Sequence, residues 1–132
     1  MQHLFFISFW PARLREKKGK VDHSSAGAQV IYRHFWDKGG EGRIVAQVLA
    51  LAIASHHSGL IDCLLPIGED NFTRRIDKPE AITHVNEALS NLEEPERQAI
   101  EMLLTDEILV AQLIEKFKSL KEENDHKDTL AF

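Results

Sequence analysis

Apolar residues recur along the chain at helical spacing, and glycines and prolines divide them into short amphipathic segments. Pro11 opens one segment that runs to about Lys18, and Gly19 closes it. The stretch Val21-Asp22-His23-Ser24-Ser25 is rich in residues that cap helix N-termini. A helix is expected to follow, with Ala28, Ile31, Tyr32, Phe35 and Trp36 on one broad face and Gly39, Gly40 and Gly42 ending it. From about 43 to 57, the residues Ile44, Val45, Val48, Leu49, Leu51, Ala52, Ile53 and Ala54 leave almost no polar side. A helix apolar all round is expected to be central and buried. Gly59 stands where a left-handed helix stop is expected.

Residues 60–78 are irregular, with Pro66, Gly68 and Asp70-Asn71, and predict a long loop holding at most a short turn. Pro79, just after Asp77, predicts a helix carrying Ile82, Val85, Ala88, Leu89 and Leu92. Pro95 starts another with Ile100, Leu103 and Leu104. Thr105 or Asp106 caps a last one bearing Ile108, Leu109, Leu113, Ile114, Phe117 and Leu120. From Lys121 onward the chain is charged and is expected to fray. No segment has the strict alternation of a half-buried strand, so the predicted fold class is all-α.

With 132 residues the chain fits one domain and can bury a real core. Its 43% hydrophobic and 28% charged residues give an ordinary folded balance rather than a disordered one. The net charge of −5 argues against a protein that coats nucleic acid non-specifically, which needs many cations to displace counterions from phosphates. It leaves room for an enzyme that grips one strand locally. The basic run Arg13, Arg15, Lys17, Lys18 and Lys20 is either a solvated helix face or a patch that guides DNA. A single cysteine, Cys63, cannot form an internal disulfide and fits a reducing compartment. The apolar start from Leu4 to Trp10 is far shorter than the roughly 20 residues of a membrane span. Its positive charges follow it rather than precede it, unlike a secretory signal, so a cytoplasmic protein is expected.

Seven histidines are present. His3, His34, His84 and His126 sit in ordinary terminal, helical or charged settings. His56 and His57 form a doublet at the end of the most apolar helix, where an imidazole needs a partner for each ring nitrogen. Adjacent residues of a regular helix point about 100° apart, so the two rings would not easily share one ion. They could serve neighbouring ions, or one could orient the other. His23, beside Asp22 at a helix start, is a third candidate ligand, and three protein ligands are what a mononuclear site usually needs.

Taken together, two segments resemble a known family. Asp22-His23-Ser24-Ser25-Ala26-Gly27-Ala28 is similar to the DHSxAGA stretch of the HD nuclease domain of the CRISPR-associated type I helicase–nuclease. Ala52-Ile53-Ala54-Ser55-His56-His57-Ser58-Gly59-Leu60-Ile61-Asp62 resembles that domain's AIxxHHGGLxD stretch, in the same order and at a suitable distance. The resemblance covers residues 9–65 well, and a compatible helical pattern continues beyond. It implies an HD-domain-like helical bundle, here incomplete. It implies His23, His56 and His57 as ligands of a divalent transition metal ion, manganese, cobalt, nickel or iron. It also implies hydrolysis of single-stranded DNA in antiviral defence, with a helicase domain and a guide-RNA surveillance complex as partners.

The family takes its name from a His-Asp dipeptide upstream of the DHS stretch, and no His-Asp occurs in this chain. The family's earliest histidine has no match, since His3 lies in the wrong context, and neither Asp125 nor Asp128 sits in the pattern of its late aspartate. Residues 1–8 are therefore expected to be an atypical segment, 9–120 a partial HD-type domain and 121–132 a charged tail, as in a gene fragment, a frameshifted start or a split gene. Without the missing carboxylates a two-metal site is undercharged, so weak binding of one ion and little nuclease activity are expected. The competing readings are an inactive helical remnant or interaction module, and another HD-superfamily phosphohydrolase acting on nucleotides.

Overall fold

A computed structural model describes residues 22–57, 59–61, 63 and 66–129, with the backbone alone for 124–129. The described residues form helices and no strand, so the fold is all-α. Seven helices follow one another among them: α1 His23–Trp36, α2 Gly39–Ser55, α3 Asn71–Ile76, α4 Glu80–Thr83, α5 Val85–Ser90, α6 Glu94–Leu104 and α7 Glu107–Thr129. None is long and apolar enough to cross a membrane. Residues 1–21, with the basic run Arg13 to Lys20, lie outside the described residues, as does Asp62.

The frame is an antiparallel hairpin of α1 and α2. Phe35 packs on Val45 and Ala46 near its closed end, Ala28 meets Ala50 and Ala54 midway, and His23 reaches His57 at its open end. The seam is built from small residues. Gly42, Ala46, Ala50 and Ala54 recur every four positions on α2 and are all buried. Such spacing makes one continuous stripe on a helix, and small side chains bring the partner backbone close. A Cβ added at Gly42 would lie 2.6 Å from the Phe35 carbonyl oxygen and 2.7 Å from the Lys38 Cβ. Gly42→Ala is therefore expected to lower stability by about 1–3 kcal/mol through overpacking, although alanine is the better helix former. A Cβ at Gly40 would meet nothing within 4 Å. Gly40→Ala is expected to gain up to about 1 kcal/mol. Urea midpoints of the two variants check the pair; equal shifts would show that the seam is looser than described.

The same stripe corrects the expectation that α2 is buried all round. Its small residues face α1, while Ile44 and Val48 are 43% and 39% exposed and Ala52 is exposed. The hairpin buries the narrow alanine side because that side permits the closest approach. The glycines expected to end α1 mostly open α2: only Gly39, with φ of 81°, turns the chain.

Residues 60–78, expected as a loop, contain α3. Asp70 caps it, accepting from the Thr73 backbone N–H at 2.9 Å and the Thr73 hydroxyl at 2.6 Å. Ile76 then enters the Ala28–Ala50–Ala54 cluster. The single helix expected after Pro79 is broken at His84, whose φ of 50° is left-handed. A long-range contact explains the break. The Ile82 carbonyl would accept from Asn86 in a continuous helix, but it accepts the Asp22 backbone N–H at 3.2 Å. The Asn86 N–H turns instead to the Glu80 carboxylate, 2.9 Å away, which caps α5. Val85 and Ala88 of α5 pack on Ala26 of α1. α6 opens with Glu93 and Glu96 in a reciprocal capping box and Pro95 in its first turn. Asp106 caps α7 through the Leu109 N–H at 2.9 Å. Val110 and Ile114 of α7 join the Phe35 cluster, and the helix continues through Thr129.

Candidate metal centre

The open end of the hairpin holds three imidazoles. His23 is the first residue of α1, and Asp22 fixes that helix start. The Asp22 carboxylate accepts from the Ser25 backbone N–H at 3.0 Å, the Ser24 hydroxyl at 3.0 Å and the Ser25 hydroxyl at 2.8 Å. It also accepts from the Lys78 ammonium. Partial burial pushes the Asp22 carboxyl upward, but the Lys78 and Ser25 contacts outweigh it and hold the group well below the usual carboxylate range.

His56 and His57 follow the last residue of α2, Ser55, rather than lying within the helix. His56 is the C-cap and keeps right-handed helical dihedrals, with φ of −63° and ψ of −18°, yet the two rings lie close together. The two ring centroids are 3.9 Å apart, and the His23 ring stands 4.7 Å from His57 and 5.7 Å from His56. One ring nitrogen from each of the three can be chosen so that all lie within 4.8 Å of one another. His23 is half-buried, and the doublet is exposed. His56 Nδ1 lies 2.6 Å from the Ile53 carbonyl oxygen. Only a protonated Nδ1 can make that bond, so in the neutral ring the contact fixes the tautomer with the proton on Nδ1.

His23 Nε2 and His57 Nε2 approach to 2.6 Å, a contact in which one nitrogen donates and the other accepts. A dication held between them would take the place of that shared proton. Two nitrogens on a tetrahedral ion with bonds of about 2.0–2.1 Å stand roughly 3.3 Å apart, so the pair needs to open by only about 0.7 Å. Three neutral nitrogen donors suit a transition metal and suit magnesium or calcium poorly. The C-terminal end of α2, with its negative dipole end, also favours a cation at the doublet. On donor set and spacing, the three residues fit one ion.

Residues 75–82 tie together the two helix ends that carry the three histidines. Arg75 Nη1 donates to the Ala54 carbonyl at 3.0 Å, in the last turn of α2. Lys78 holds Asp22. The buried Gln29 amide of α1 donates to the carbonyls of Ile76 and Lys78, both at 2.8 Å. Arg75, Lys78 and Gln29 escaped the sequence reading. Gln29 alone left a trace, as a long polar residue amid the apolar positions of α1. The basic run Arg13, Arg15, Lys17, Lys18 and Lys20 lies outside the described residues, so its position relative to the histidines is not part of this geometry. Of the remaining histidines, His34 Nε2 lies 3.0 Å from the Leu104 carbonyl and His84 Nδ1 lies 3.0 Å from Glu87 Oε2, both in structural settings.

Comparison of the chain with known protein families, with characterised proteins and with solved structures gave no match in any of the three.

Proposed function

We propose that His23, His56 and His57 hold one divalent transition metal ion, and that the chain is a CRISPR-associated HD-type domain acting on phosphodiesters of single-stranded DNA. The approach of three imidazoles from two helix ends carries this reading, because those ends are the two segments that resemble the family. In that setting a helicase domain and a guide-RNA surveillance complex would deliver the strand. Manganese, cobalt, nickel and iron are the candidate ions, and an all-imidazole site favours nickel and cobalt over manganese.

When bound, the ion supplies Lewis acidity and a water of lowered pKa. The chain's own residues do the positioning. Asp22 caps α1 and so sets His23. The Ile53 carbonyl orients His56. The exposure of the doublet leaves an open side from which a phosphate can approach.

One observation favours a second reading, an inactive remnant or interaction module. The Asp22 carboxylate is occupied by Ser24, Ser25 and Lys78, so it does not add a negative ligand to the cluster. Ion pairs about 3.5–4 Å apart rely on shared ligands to stabilise both oxygens of the displacement, and three neutral imidazoles offer none. One ion per chain and slow cleavage are therefore expected. Elemental analysis after loading, with digestion of circular single-stranded DNA in manganese, cobalt or nickel, decides between the readings. Slow nicking that His57→Ala abolishes supports a nuclease. One bound ion without nicking supports the remnant. Absence of a bound ion contradicts the metal site itself.

A further inference from the structure

Arg75 carries a charge at the metal-facing end of α2 that no described carboxylate balances. The other cations of its neighbourhood are taken up. Arg74 pairs with Glu69 at 3.2 Å, and Lys78 pairs with Asp22. Arg75 instead donates one Nη1 bond to the Ala54 carbonyl, two residues before His56, and is half-buried. A guanidinium has five N–H donors in a planar fork, so most of its donors remain for another acceptor. The bond to Ala54 also fixes the fork at the helix end that carries His56 and His57.

A purely structural role is the competing explanation, since a cation on the last carbonyls of a helix is favourable by itself. That role uses one donor of the fork and leaves the rest for an acceptor, at the end of α2 that leads into His56 and His57. A fixed guanidinium, together with a dication at the three histidines, would make a local positive site in a chain of net charge −5. Such a site suits a phosphate oxyanion, which a guanidinium binds with two parallel bonds.

We infer that Arg75 is the seat of a phosphate group beside the His23–His56–His57 cluster, the phosphate being that of a single strand or of a nucleotide. The inference deepens the nuclease reading and rests on it for the substrate class, but the anion seat can be measured without a metal. Arg75 is thereby a substrate-binding residue rather than a ligand of the ion.

The test is binding of fluorescein-labelled oligothymidylate, and separately of thymidine monophosphate, to the metal-free and cobalt-loaded chain. Arg75→Gln is expected to weaken binding about fivefold and, for the strand, to lower the salt slope by about 0.7. Arg75→Lys, which can still donate to the Ala54 carbonyl at the end of α2, is expected to fall between, with a cobalt affinity nearer that of the wild type than Arg75→Gln has. A preference for the oligonucleotide assigns the seat to a strand, and a preference for the monophosphate to a nucleotide. If Arg75→Gln fails to fold, phenylglyoxal labelling of the wild type supplies the answer. Either ligand should protect Arg75 and leave Arg74 reactive. Unchanged binding in Arg75→Gln, no protection, or no binding of either ligand by the wild type overturns the inference. Loss of cobalt binding with the Arg75 effect intact would overturn the metal reading and leave the anion seat standing.

Discussion

Replacing His23 by alanine is expected to abolish the stabilisation that nickel or cobalt confers on the chain. An ion that binds only the folded state, at a hundred times its dissociation constant, contributes about 2.7 kcal/mol. For a chain of this size that is a rise of roughly 10 °C in the unfolding midpoint. His23 is the sole member of the cluster contributed by α1, and its Nε2 is 2.6 Å from that of His57. Without it the doublet is left as two ligands on one turn. Affinity should then fall by more than the roughly 10–100-fold typical of losing a mere orienting partner. His23 is only half-buried, so His23→Ala should leave the metal-free midpoint nearly unchanged. His34→Ala is the control: it removes a histidine bonded to the Leu104 carbonyl and should leave the nickel shift intact. Thermal melts with and without nickel read all three. An undiminished shift in His23→Ala would show that the ion sits elsewhere.

The largest loss of intrinsic stability is expected at Asp22. Its carboxylate caps α1, accepts both serine hydroxyls and pairs with Lys78. Removing an N-cap costs about 0.5–2 kcal/mol. Asp22→Ala also strands the hydroxyl of Ser25, which is 0% exposed. An orphaned buried polar group adds about 1–3 kcal/mol. A loss near 3 kcal/mol at neutral pH follows, close to the sum of the central values of these two costs. Asp22→Asn, which keeps a capping oxygen, should lose less.

The pH dependence of that loss has a fixed sign. The folded carboxyl is held below its ordinary value. It therefore contributes fully above the unfolded value of about 3.9 and loses that contribution as pH falls toward the lower folded value. Urea unfolding at pH 7 and pH 3 should show the gap between wild type and Asp22→Ala narrowing in acid. A gap that widens would mean that Lys78 and Ser25 do not hold the charged form. The two sites are also linked, because a frayed α1 start displaces His23. Asp22→Ala should weaken nickel binding, and Asp22→Asn should weaken it less.

Local signals in the sequence located much of this site. The run Asp22-His23-Ser24-Ser25 announced the start of α1, and with it the place of His23. Pro95 announced α6, and Thr105 or Asp106 the start of α7; Gly59, expected to stop α2, has a positive φ but lies beyond the helix, which ends at Ser55. What escaped depends on contacts between distant residues. Nothing local to residues 79–92 shows that the Asp22 N–H takes the Ile82 carbonyl and breaks the helix at His84. Apolar count alone cannot show that α2 buries Gly42, Ala46, Ala50 and Ala54 while Ile44 and Val48 stay half in water. The spacing of the doublet was not legible either: His56, the C-cap of α2, keeps right-handed helical dihedrals, yet its ring centroid lies 3.9 Å from that of His57. Arg75 and Lys78 fell in a stretch taken for loop. Their role emerges only once α3 carries Ile76 into the core and sets their side chains against the ends of α2 and α1.

The convergence of three imidazoles on one ion is tested most directly by X-ray absorption at the nickel edge of the loaded, tag-free chain. The expected spectrum has one nickel per chain with three imidazole nitrogens in its first shell, falling to two in His23→Ala. A first shell of oxygens alone, or one unchanged by the substitution, would contradict it.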